Sequence, residues 1–124
     1  MSSVRIIFPY LIAAVFVITA AYYGVSKSLG AHPFWSMKIA WIGTPIGLLL
    51  ALLVRNRAWF KRSITFAILL LASGAAAHFG RLRFAASFAE DRLAGQFWFY
   101  GWIAVAIFLS ALIASVLTPR PQRL

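Results

Sequence analysis

A chain of 124 residues with 63% hydrophobic and only 11% charged residues, and a mean hydropathy of +0.88, is excluded from the ordinary water-soluble domains, which carry roughly 25% charged residues. It has no cysteine, so disulfides, thiolate metal sites and a cysteine nucleophile are excluded as well. The net charge of +10, from 12 Lys+Arg against 2 Asp+Glu, would suggest nucleic acid in a soluble protein, but here the basic residues flank apolar runs, where they anchor to anionic headgroups at about 1 kcal/mol each; no nucleic-acid partner is expected.

Four apolar runs fill most of the chain, at residues 6–25, 34–54, 64–80 and 97–117. A helix needs about 20 mostly apolar residues to cross a hydrocarbon core of about 30 Å. The expected fold is all-α: a polytopic membrane protein in which residues 1–124 form one domain of four transmembrane helices in an up-down bundle. The first run follows Arg5 and carries small residues at Thr19, Ala20 and Ala21, where a signal peptide would be cleaved. Its apolar core exceeds the roughly 7–15 residues of a signal sequence, so it reads as a span.

The second run opens on His32-Pro33, with proline suited to a first helical turn, and carries Gly43, Gly47 and Ala51 at four-residue spacing around Pro45. Lipid gives helices little hydrophobic reason to associate, and small residues that let backbones approach do much of that task. Proline frees a backbone carbonyl one turn earlier, which Thr44 or a water is expected to satisfy. The third run is the shortest; it reaches spanning length by extending through Gly80 or by local thinning of the bilayer. It holds small residues from Ala72 to Ala77. Ser87 and Glu90 have capping-box spacing, which either starts the fourth helix near Phe88 with a bend near Gly95 or is an incidental match within a loop. That helix carries a second small stripe, Ala106, Ser110 and Ala114, and Thr118-Pro119 ends it.

The loop between the second and third runs holds the densest basic cluster, Arg55, Arg57, Lys61 and Arg62. The positive-inside rule places that loop in the cytoplasm, and with it both termini. The expected location is the bacterial inner (cytoplasmic) membrane, multi-pass. Aromatic residues then gather on the outer side, among them Trp35, Phe88, Trp98 and Tyr100, beyond a minimal interfacial belt. His32 and His78 fall on the same side, as do Glu90 and Asp91.

No Asp or Glu lies inside a span, and intramembrane ionisable residues are the usual mark of ion coupling. Two histidines facing one another would suit a haem, and histidine with carboxylates a divalent metal, but no local ligand spacing supports either. The expected sites are therefore a partner- or ligand-binding surface at His32, Trp35, His78, Trp98 and Tyr100, and helix-packing positions Gly43, Gly47, Ala51, Ala106, Ser110 and Ala114, with no catalytic or metal residues and no cofactor assigned. The functional expectation is a non-enzymatic accessory subunit of a larger membrane complex, with energy-transducing complexes among the candidates, contacting membrane lipids including anionic ones and other membrane subunits or its own copies. Two rivals stand beside it: an oligomeric transporter or channel with Thr44 and Pro45 along its path, and a quinone- or haem-binding redox subunit using the two histidines.

Overall fold

The computed structural model describes residues 3–24, 36–88 and 90–118. They form α1 (Ser3–Tyr22), α2 (Ser36–Leu53), α3 (Trp59–Ala86) and α4 (Arg92–Leu117), with no strand among the described residues. Helices α3 and α4, of 28 and 26 residues, are long and apolar enough to cross a membrane; α1 and α2 are shorter apolar helices.

Helix α3 is the longest element, although its apolar run is the shortest of the four. The run stops at Arg81, but Arg, Leu and Ala are all good helix formers, and the segment Arg81-Leu82-Arg83 extends the same helix to Ala86. The turn after it departs from the expected capping box. Ser87 is the C-cap of α3, and its hydroxyl donates to the Phe84 carbonyl (2.9 Å) and accepts from the Asp91 amide (3.0 Å). Asp91 is the N-cap of α4, its Oδ1 accepting from the Ala94 amide at 3.0 Å. The fourth helix therefore starts at Arg92, not near Phe88: the Ser87 hydroxyl is already committed to the preceding helix, and the Asp91 carboxylate meets the orphan amides of the next one. Asp91→Ala should lower stability in detergent unfolding by about 1 kcal/mol, and Asp91→Asn by much less.

Helix α4 is the hub. It packs against α3 along nearly its full length, against α2 and against α1, and α1 also packs on α2. Gly43 meets Ile103 and Ala106, and Gly47 meets Ile107 and Ser110, so α2 and α4 run parallel. Gly80 meets Ala94 and Trp98 while Trp59 reaches Val116, so α3 and α4 run antiparallel. The chain thus alternates in direction, but two parallel helices, α2 and α4, touch closely at the centre, and α3 rests mainly on α4.

The interior is made of small residues. Its buried apolar members are mostly alanines, including Ala13, Ala40, Ala51, Ala77, Ala106, Ala111 and Ala114, with Val17, Ile39 and Phe66 the larger exceptions among the described residues. A Cβ added at Gly43 would stand 2.6 Å from the Ala106 Cβ and 2.9 Å from the Ile103 carbonyl oxygen. The backbones approach closely there because neither helix carries bulk at the crossing. The large apolar side chains, such as Leu11, Phe16, Leu53 and Leu71, point outward and are exposed.

Candidate functional site

Three regions hold the side chains with chemical capacity. The first is the end where α2 turns into α3. Arg62, only 4% exposed, sits in the first turns of α3 and sends its guanidinium across the ends of two other helices. Nη1 donates to the carbonyls of Arg55 (2.6 Å) and Arg57 (3.1 Å), just beyond α2. Nη2 donates to those of Ser115 (3.3 Å) and Thr118 (2.6 Å), at the end of α4. Helix C-termini present unsatisfied carbonyls and partial negative charge, and a planar fork of five N–H donors suits two such ends at once. Trp59 adds a bond from Nε1 to the Val116 carbonyl at 3.0 Å. In the sequence Arg62 reads only as a loop charge. Its position one helical turn past Ala58, between Lys61 and Ser63 at the start of an apolar run, carries no distinguishing signal.

The second region is the aromatic end around the α3–α4 turn. His32 and Trp35 lie outside the described residues. Trp98 is half-buried: its ring tilts against Phe84 at 5.6 Å between centroids, and its backbone lies against Gly80. It is therefore engaged in α3–α4 packing. Tyr100 is exposed beside Phe99 at 5.2 Å. Phe97, Tyr22 and Tyr23 are exposed too. Phe88, in the turn itself, is 90% exposed and has φ +57°, the left-handed conformation that glycine ordinarily takes after a helix end. Glu90 is exposed and Asp91 is occupied in capping. Among the described residues no three of His, Asp and Glu come together.

The third region is a cleft of about 490 Å³ between α1 and α3, floored by α4. Val17 and Ala21 of α1, Leu70 and Gly74 of α3, and Trp102 and Ala106 of α4 line it, and His78 and Arg81 stand at one end. Sequence reasoning read the small residues from Ala72 to Ala77 as a packing stripe. Only Ser73 and Ala77 of that stretch are buried, and Gly74 faces open space.

The packing residues expected from sequence fall at the centre of the molecule: Gly43 and Gly47 lie against Ala106 and Ser110, and Ala51 and Ala114 share one buried cluster. Thr44 and Pro45 do not share a face, since Thr44 is 2% exposed and Pro45 is exposed. The Thr44 hydroxyl makes no hydrogen bond among the described residues, so it does not satisfy the carbonyl that Pro45 frees; α2 nonetheless continues as helix on both sides of that proline. Comparison with protein-family models, curated proteins and solved structures finds no match to this chain.

Proposed function

We propose that the chain is a multi-pass integral membrane protein of a bacterial inner membrane, with both termini cytoplasmic, that serves as a non-catalytic subunit and docks its aromatic end on a larger membrane assembly. The observation that carries the membrane reading is the inverted size distribution: mostly alanine, glycine and serine inside, with Phe66 an exception, and most leucines and phenylalanines outside. Monomers in water rarely expose apolar patches beyond a few hundred Å², whereas lipid is as apolar as leucine and leaves helix contacts to small residues. Helix α1, with 20 residues, and α2, with 18, rise about 30 Å and 27 Å at about 1.5 Å per residue, close to the hydrocarbon thickness of about 30 Å; all four helices then span. Reporter fusions at Leu124 and in the 87–91 turn should give opposite signals, and an exterior Leu124 would reverse the sidedness.

Phe88 supports docking. A bulky residue held at positive φ strains the turn, and its side chain gains nothing from the rest of the chain in return, being almost wholly exposed. A partner surface supplies the missing compensation, as aromatic anchors do at interfaces. Phe88→Gly is therefore expected to act in opposite directions: it stabilises the isolated chain by about 1 kcal/mol, while co-purification of other membrane subunits from mild-detergent extracts falls. Unchanged co-purification with Phe88→Gly, and with Tyr100→Ala beside it, would remove the docking role.

A further inference from the structure

We propose that the cleft between α1 and α3 holds one anionic phospholipid, an acyl chain lying along Gly74 and Trp102 and the headgroup phosphate at Arg81. The inference rests on the membrane reading given above, because the ligand is a component of the bilayer. The cleft volume of about 490 Å³ lies within the range of small-molecule sites, about 300–1,000 Å³, and its wall is apolar except at one end. From Leu70 to Arg81 the α3 wall rises about 16 Å, so a tail enters along the helix axis while a polar head stays near the helix end.

Two independent observations select the occupant. Gly74 is the first. Gly43, Gly47, Gly80 and Gly101 all sit where an added Cβ would collide with a neighbouring helix, but at Gly74 nothing lies within 4 Å. A glycine inside a helix costs about 1 kcal/mol relative to alanine, and the packing of this chain does not require one there. What Gly74 preserves is the depth of the cleft. Arg81 is the second. It lines the cleft end and makes no salt bridge or hydrogen bond among the described residues. The chain has only two carboxylate side chains, Glu90 and Asp91; Asp91 caps α4 and Glu90 is exposed. Arg81 is exposed at the mouth of the cleft and no carboxylate of the described residues pairs with it, so its guanidinium is open to an external anion, and guanidinium suits phosphate in a bidentate pair. His78, three residues earlier on the same helical face, borders the same end and offers a second donor.

The test uses the full chain purified in mild detergent. Native mass spectrometry should show one retained phosphatidylglycerol, and after delipidation a titration should show phosphatidylglycerol binding more tightly than phosphatidylcholine. Arg81→Gln should raise the Kd for phosphatidylglycerol about tenfold, the scale of one charge-assisted hydrogen bond. Arg83→Gln, an exposed arginine of the same helix end that does not line the cleft, should leave the Kd unchanged. Gly74→Leu should abolish retention while far-UV circular dichroism and elution volume stay as in the parent. Equal affinity for the two lipids, equal losses with Arg81→Gln and Arg83→Gln, or full retention by Gly74→Leu would each overturn the site. So would a dimer that Gly74→Leu dissociates, which would assign the cleft to a second copy. If Gly74→Leu does not fold, the comparison of Arg81→Gln with Arg83→Gln decides alone. Alkaline extraction of membranes separates the two readings: a chain that stays with the membrane pellet but binds no lipid in the cleft refutes only the cleft.

Discussion

Gly47→Leu is expected to force α2 away from α4 and to destabilise the chain by about 3 kcal/mol or more, at the upper end of overpacking costs. The reason is the identity of the atoms that a side chain would meet. A Cβ at Gly47 runs into the Ser110 hydroxyl and the Ile107 carbonyl. The hydroxyl is itself fixed, donating to the Ala106 carbonyl at 2.7 Å, and the carbonyl belongs to the backbone of the central helix. Neither yields by a rotamer change, so the helices must separate, and every alanine contact along the crossing separates with them. Gly47→Ala should already show part of the loss. Ile46→Leu, on the exposed neighbouring position, should show almost none, and Gly74→Ala should raise stability, since its Cβ meets nothing and glycine is the poorer helix former. Thermal unfolding of the four variants in one detergent checks the ordering. Equal midpoints for Gly47→Leu and Ile46→Leu would mean that α2 and α4 do not meet at this point.

Much of this architecture is visible in the chain because lipid-length apolar runs register the existence of helices directly. They register the ends poorly. The run from residue 64 to 80 measures the apolar part of α3, while the helix itself continues over Arg81-Leu82-Arg83 because those residues favour helix whatever their solvent. At the next turn two cap-competent residues compete, and spacing alone favours Ser87. The choice of Asp91 depends on where the Ser87 hydroxyl points, which is a tertiary fact. The small-residue positions at Gly43, Gly47, Ala106 and Ser110 are readable as contact surfaces, but the second, third and fourth runs all carry such small residues, so their pairing is not. The cleft is less legible still. It arises where α1 and α3 fail to close over α4, and the glycine that marks it looks in sequence like the other packing glycines. Arg62 shows the opposite failure: its charge is obvious, and its burial is not.

Arg62→Met should cost about 3 kcal/mol, the scale of leaving buried carbonyls without a charged donor, although the substitution adds an apolar side chain to an apolar protein. The four carbonyls that Arg62 bridges come from two helix ends whose backbones cannot satisfy one another. Water reaches those carbonyls poorly, because the Arg62 side chain that meets them is 4% exposed and its bond to the Ser115 carbonyl is buried. Arg62→Lys should recover only part of the loss, since an ammonium is a point donor and cannot hold both helix ends with the geometry of a guanidinium fork. Arg57→Met, at an exposed residue of the same turn, supplies the control for removing a loop charge. Detergent unfolding should rank the variants parent, Arg57→Met, Arg62→Lys, Arg62→Met from most to least stable. Amide exchange in Arg62→Met should rise first near Val116 and Thr118, where α4 loses its strap while the Trp59 bond to the Val116 carbonyl remains. Under the proposed topology sidedness should not change, because Arg55, Arg57 and Lys61 still mark the loop. An Arg62→Met variant as stable as Arg57→Met would show that the guanidinium is a surface charge after all, and that the ends of α2 and α4 are held by packing alone.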